Sequence, residues 1–431
     1  MAKYPTKKFD CWQLAKEMRN KTFEGVMTAR EESKILMGGS CEFQGVFLTG
    51  LVGDEGFAWL PSEAYSGQLA FHTELQQECI KEVERRGYAP DLCSYMRLYW
   101  GSAFLNRSPW GEFPKPDLYI QPAVCDTHAK WLTTMAEYHG VPCFVLDVTE
   151  AMDCDRPGEH HDQYYVDQCL ELIEWLEKQT GKEFDDERFI EAVINHQIVS
   201  DVWAEICDML KGVPCPMDMK SQYTLNNAVI RERHSPGAVR FMTLLRDEMK
   251  ERVAQGIAAV GDERCRLIHD NVPPWYGLHI FRYMEKYGVV CVGGHYGMGF
   301  TNSWGYTEDG RLKAIKTVGY PGWQRPRNRE EALRVFVSGG GGGPLLPDAG
   351  RKFTLGVAKD WNINGALFHL NRGCQGWSRG RMEIIYALRE MGLPTSTYEG
   401  STGDMKDWNE AQVLNRIDSF MESLGLSRLE D

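Results

Sequence analysis

The stretch Gly365-Ala366-Leu367-Phe368-His369-Leu370-Asn371-Arg372-Gly373-Cys374-Gln375-Gly376-Trp377-Ser378-Arg379-Gly380 decides the fold. Ala366 to Leu370 is an apolar run with the length and composition of a buried strand. It stops at Asn371-Arg372-Gly373, presents one cysteine, and passes into Met382 to Arg389, a helical pattern ended by Gly392 and Pro394. A cysteine between a strand's carboxyl end and a helix's amino end sits where open α/β sheets hold ligands. The unpaired amides of a first helical turn also favour its thiolate form.

Working outward, the same pattern occurs earlier in the chain. Leu118 to Gln121 reads as a strand, Cys125 follows, a helix carries His128 and Trp131 to His139-Gly140, and Cys143 to Val148 reads as the next strand. A third cysteine, Cys93, follows Asp91, which is positioned to cap a helix with Cys93 in its first turn. Before it, Leu75 to Arg86 reads as a helix with Thr73 available as its cap. Between about 160 and 260 the pattern is helical, over Tyr165 to Glu177, Arg188 to Leu210 and Ala238 to Ala259. Then Leu278 to Tyr287 reads as a helix, Val289 to Val292 as a strand, and Gly293 to Gly299 as a loop holding His295. The expected fold is α/β: two Rossmann- or flavodoxin-like lobes with parallel sheets, joined by a helical subdomain. Residues 1–160 form the amino-terminal lobe with Cys93 and Cys125, 161–264 the helical connection, and 265–431 the carboxy-terminal lobe with Cys374.

A chain of 431 residues is too long for one ordinary core, and its 25% charged and 43% hydrophobic content is that of a globular protein. A net charge of −13 without a basic run argues against nucleic acid as a partner. Met1 to Pro5 lacks the apolar core of a secretory signal, and no run approaches the ~20 residues of a membrane span, so a cytoplasmic protein with no membrane partner is expected. Thirteen cysteines with no Cys-x-x-Cys pair exclude a zinc ribbon or a ferredoxin-type run, and most read as small buried core residues. Ser338 followed by Gly339 to Gly343 lacks the Lys-Ser/Thr of a phosphate loop and reads as a flexible connection near the site.

If the lobes face each other across their carboxyl edges, Cys93, Cys125 and Cys374 converge. Three thiolates without a fourth describe an iron–sulfur cluster with an open iron, or an unusual zinc site. His295 and His128 are the candidate proton donors by type and position. Asp126 and Glu399 are placed to cap helices or to orient such a donor, and Ser94 and Gln375 to hydrogen-bond the sulfurs.

The chain resembles the 2-hydroxyacyl-CoA dehydratase and benzoyl-CoA reductase superfamily, and within it the B subunit of ATP-dependent (class I) benzoyl-CoA reductases. The resemblance is carried by Met1 to Thr6 with Cys11-Trp12, by Asp91 to Arg97 with Tyr99 to Ser102, and by His128 to Trp131. It continues through Gly256 to Gly261, Pro273-Pro274-Trp275, His369 to Cys374, and Tyr398 to Gly400 with Gly403-Asp404. It implies a 4Fe–4S cluster held by Cys93, Cys125 and Cys374, with its fourth position open or not filled by cysteine. It also implies a related cluster-binding partner subunit, an ATP-hydrolysing activator that injects low-potential electrons, and ferredoxin as upstream donor. The implied activity is reduction of the aromatic ring of benzoyl-CoA or a similar aryl-CoA, in anaerobic aromatic degradation. A subunit of an (R)-2-hydroxyacyl-CoA dehydratase, a radical lyase, is the first alternative, and a non-catalytic cluster-carrying subunit the second.

Overall fold

A computed structural model describes residues 3–39, 45–148, 159–299, 301, 303–338 and 349–430. Two four-stranded sheets, every pairing in them parallel, organise the chain. The first contains β1 (Ile35–Gly39), β2 (Phe57–Pro61), β3 (Leu118–Pro122) and β4 (Cys143–Leu146), in the order β2-β1-β3-β4. The second contains β5 (Cys265–Asp270) and β6 (Val289–Gly293), then, after the small hairpin of β7 (Trp304–Tyr306) and β8 (Leu312–Ala314), β9 (Gly365–Asn371) and β10 (Thr395–Gly400). Its order is β10-β9-β5-β6. Both sheets therefore share one topology, in which the first and third strands are central neighbours and the chain turns outward on either side of them. β2, β3, β5 and β6 are buried along their whole length, as strands covered by helices on both faces must be.

The expected repeat of strand, cysteine, helix, glycine, strand is present twice. The helix Asp126–His139 ends at Gly140, whose φ of +68° is the left-handed conformation that glycine adopts without strain. Between the sheets run the helices Glu159–Thr180, Asp186–Asp208, Met219–Ile230 and Pro236–Gln255. Asp185 accepts the amide of Arg188 at 3.1 Å, and Ser235 that of Ala238 at 3.1 Å with Pro236 in the first turn, so two of these helices start at side-chain caps. Met219–Ile230 is absent from the sequence reading because its period is broken: Gln222 and Asn226 are polar yet buried.

Three further local expectations differ from the structure. Cys93 is the cap residue itself, immediately before the helix Ser94–Leu105, and Asp91 lies outside it. The helix expected from Leu75 begins at Thr73, with His72 at the cap position and no side-chain cap bond. The loop expected at Gly293 to Gly299 contains one helical turn, His295–Met298. The polyglycine segment, Gly339 to Gly343, lies outside the described residues.

One apolar core runs through both lobes, joining Tyr65, Leu98, Tyr99 and Trp131 to Leu267, Leu367, Tyr398 and Ile417. A loop after β10 clasps the first lobe. Arg97 pairs with Asp404 at 3.0 Å, Lys406 with Glu84 at 2.9 Å, and the Gly403 amide donates to Ser94 Oγ at 3.0 Å. Arg97 and Asp404 are both buried, so this clasp fixes how the two carboxyl edges meet. Among the described residues no helix is long and apolar enough to cross a membrane.

Candidate functional site

Cys93, Cys125 and Cys374 each occupy the position immediately before a helix, ahead of Ser94–Leu105, Asp126–His139 and the turn Gln375–Ser378. Cys125 follows the third strand of the first sheet and Cys374 the third strand of the second, so they are topological equivalents beside each lobe's strand-order switch. Exposure sets the three apart from the buried cysteines, though Cys143 shares it. Of the eleven among the described residues, seven are buried, and Cys93, Cys125, Cys143 and Cys374 are partly exposed.

The structure brings the three together. A side chain on Gly376 would meet Cys125 Cβ at 3.3 Å and its Sγ at 3.9 Å, so the Cys374 turn lies against Cys125. A side chain on Gly373 would meet the Asp91 and Leu92 carbonyl oxygens at 3.0 Å, so the same loop abuts the approach to Cys93. Burial pushes the Cys93 thiol up to about 11, and the Cys125 sulfur adds to the rise. Burial pushes Cys374 up to about 12, with both other sulfurs adding to it. First-turn amides, those of Tyr95 and Met96 at Cys93 and of Trp377 at Cys374, pull the other way without closing a cap hydrogen bond.

Cys125 differs. Burial raises it, but the hydrogen bond and charge of His128 outweigh that and hold it below the usual thiol value. His128 Nδ1 lies 3.2 Å from Cys125 Sγ and its Nε2 lies 2.7 Å from Glu63 Oε1. Burial alone would lower this imidazole, yet the Glu63 carboxylate and Cys125 raise it to about 10, so the ring is an imidazolium at neutral pH. Cys, His and Glu in line is also how a nucleophilic thiol is activated. Two more thiols near enough to interact electrostatically with Cys125 are what a ligand set contains and a lone nucleophile does not.

Glu63 was not picked out from sequence. It stands in the first turn of the helix Ser62–Leu69, just past β2, a carboxylate at the carboxyl end of a parallel strand. His295 occupies the corresponding place past β6, but it does not line the cavity described below. Its ring packs on Trp377 (5.1 Å between centroids) and Phe353 (5.4 Å), and burial lowers it to about 4. Ser94 Oγ accepts from Gly403, and Glu399 pairs with Arg372 at 2.7 Å, so Glu399 caps no helix.

A cavity of about 310 Å³ lies one layer of side chains away from the thiols, none of which lines it. Three of its lining residues lie next to the three cysteines: Glu63 through His128, Tyr95 two residues after Cys93, and Tyr296 edge-on to Trp377 at 5.1 Å. Trp275 and Tyr223 complete an aromatic wall, with Trp275 Nε1 donating to Tyr95 Oη. Behind this wall Arg381 pairs with the buried Asp270 and also donates to the Trp377 carbonyl. Asp270 Oδ1 accepts the Tyr296 amide at 3.0 Å, so one buried ion pair sets both the Cys374 turn and the cavity wall.

These features define a two-lobed α/β protein whose carboxyl edges close on a thiol centre and an aromatic cavity. A profile of the family described as 2-hydroxyglutaryl-CoA dehydratase, D-component, matches residues 63–424, and the chain belongs to that family. It is 24% identical over 315 residues to (R)-2-hydroxyglutaryl-CoA dehydratase subunit alpha of Acidaminococcus fermentans, covering 72% of this chain and 61% of that one. It is 25% identical over 365 residues to lactoyl-CoA dehydratase subunit alpha of Anaerotignum propionicum, covering 80% and 82%. It is 22% identical over 368 residues to the B subunit of benzoyl-CoA reductase from Thauera aromatica, covering 81% and 80%.

Proposed function

We propose that the chain is the cluster-bearing, substrate-binding subunit of an enzyme that acts on a CoA thioester with low-potential electrons, and that its reaction is ring reduction of an aryl-CoA. The observation that carries this reading is that three partly exposed thiols approach one another one layer of side chains behind a cavity walled by Tyr95, Tyr223, Trp275 and Tyr296. Flat aromatic walls suit a flat acyl group.

Cys93, Cys125 and Cys374 would hold a 4Fe–4S cluster whose fourth position has no cysteine. The donor set fits. Sulfurs that raise one another's pKa are poor company as bare thiolates, and a cationic iron core relieves that repulsion. A single zinc ion fits less well. It needs its ligands around one point, and among the described residues no group of three or more His, Cys, Asp or Glu side chains, the three cysteines included, is placed to hold a single metal ion. When bound, the cluster would supply one electron at a time to the thioester.

The protein's own groups manage binding and protons. The aromatic wall excludes water and orients the acyl group. Glu63 faces the cavity with His128 behind it, and together they form the proposed proton-exchanging pair. His295, held neutral behind Trp377, is proposed to steady the Cys374 turn.

The relatives' names as alpha and B subunits support a partner subunit, proposed to be of related fold and to carry its own cluster. An ATP-hydrolysing activator and ferredoxin would lie upstream. Dehydration of a 2-hydroxyacyl-CoA is the second reading, favoured by the dehydratases among the relatives. A purely cluster-carrying role is disfavoured by the cavity on this chain.

The deciding experiment supplies the anaerobic complex with reductant, ATP and either benzoyl-CoA or a 2-hydroxyacyl-CoA. Consumption of an electron pair and a pair of protons per ring, giving a cyclic diene, supports ring reduction. An enoyl-CoA formed without net electron consumption establishes the dehydratase instead.

A further inference from the structure

One side of the cavity combines the aromatic wall with polar side chains. The helix Met219–Ile230 presents Gln222, Tyr223 and Asn226 to it, with relative exposures of 0%, 7% and 6%. Gln222 Oε1, Tyr223 Oη and Asn226 Oδ1 are all buried, and none has a hydrogen-bond partner. Buried polar atoms are nearly always paired, and three unpaired ones on residues that line one cavity are an expensive arrangement for a chain to keep. Two of the three are held in place. Gln222 donates its amide N–H to the Val292 carbonyl, which leaves Oε1 as the free end. The Tyr223 ring is wedged between Trp275, Phe281 and Tyr296, with centroids 5.6, 6.2 and 6.0 Å away.

We infer that these three residues form a specificity subsite for a hydrogen-bond-donating substituent on the acyl group, so that the preferred ligand is a hydroxylated aryl-CoA rather than an unsubstituted one. The inference rests on the CoA-thioester reading above and sharpens its substrate class. A ligand hydroxyl donates its one proton to Gln222 Oε1 and accepts from the Tyr223 hydroxyl, leaving the Asn226 oxygen for a second donor on the ligand or a water. A carboxylate has no proton to donate and would leave Gln222 Oε1 unpaired. A bare phenyl ring would leave all three atoms unpaired, and a site built to hydrogen-bond a hydroxyl rejects the analogue lacking it.

The test is equilibrium binding of benzoyl-CoA, 3-hydroxybenzoyl-CoA and 4-hydroxybenzoyl-CoA to the full chain under anoxic conditions, with thermal melts of the ligand-free protein alongside. One hydroxylated ester is expected to bind at least about tenfold tighter than benzoyl-CoA. Tyr223→Phe is expected to bring that ratio close to one while raising the melting temperature of the ligand-free chain, because it deletes a buried hydroxyl that no protein group satisfies. Gln222→Met is expected to narrow the ratio in the same way. Equal affinities for all three esters, or a preference that survives both substitutions, would overturn the subsite and leave the CoA-thioester reading standing. A lowered melting temperature in Tyr223→Phe would also overturn it, by showing that the hydroxyl serves the fold. Failure of all three esters to bind would bring down the aryl-CoA reading itself, and the subsite with it.

Discussion

Cys125 Sγ lies 3.2 Å from Nδ1 of His128, and through that contact the thiols connect to a His–Glu pair that reaches the cavity. The pair ends at Glu63, 2.7 Å from the other ring nitrogen. Glu63→Gln keeps the shape and removes the acid. It is expected to lower turnover of the assembled enzyme by about 10²- to 10⁴-fold while iron content stays near that of the parent. Steady-state rates and iron assays on one preparation check this. Equal loss of both would assign Glu63 to holding the centre instead.

Gly373 has a φ of +73°, and a Cβ there would stand 3.0 Å from the Asp91 and Leu92 carbonyl oxygens. Gly373→Ala therefore combines backbone strain with a clash between the Cys374 and Cys93 loops. It is expected to cost about 1–3 kcal/mol and to reduce iron retention. The denaturant midpoint, at an unchanged slope, measures the first.

The Arg381–Asp270 pair is buried on both sides and holds Trp377 and the Tyr296 amide. Arg381→Met leaves a buried carboxylate without its cation, at an expected cost of about 3–5 kcal/mol. Adding Asp270→Asn is expected to recover much of that loss. A double-mutant cycle reads the coupling, and simple additivity would contradict it.

His269, His369 and His234 are buried, and burial lowers them to about 3, about 4 and about 4. Unfolding releases each to an ordinary value near ~6.5, so below that pH the unfolded chain binds more protons than the folded one. Their contribution is complete above about pH 6.5 and is lost as pH falls toward 4, at up to about 1.4 kcal/mol per pH unit for each histidine. Denaturation midpoints between pH 8 and pH 5 should fall accordingly. A flat profile would show that these rings are not kept neutral.

Much of the architecture is legible in the sequence because parallel strands covered on both faces are nearly continuous apolar runs, as Ala366 to Leu370 is. The three cysteines are legible through their local setting, each between a loop and a helix. Glu63 is not, because a carboxylate in a first helical turn usually serves the helix alone, and His128 approaches it only through the fold. Nor is the helix Met219–Ile230, whose buried Gln222 and Asn226 break the apolar period by which helices are recognised. The departure from pattern falls on residues that line the cavity.

The most direct test of the account is iron and acid-labile sulfide per chain in anaerobically purified protein, with Cys93→Ser, Cys125→Ser and Cys374→Ser measured beside it and Cys143→Ser as control. Near four irons and four sulfides per chain are expected, as in a 4Fe–4S cluster, with loss in each of the three variants and retention in the control. Iron near zero in the parent, or iron unchanged when Cys374 is replaced, would contradict the account.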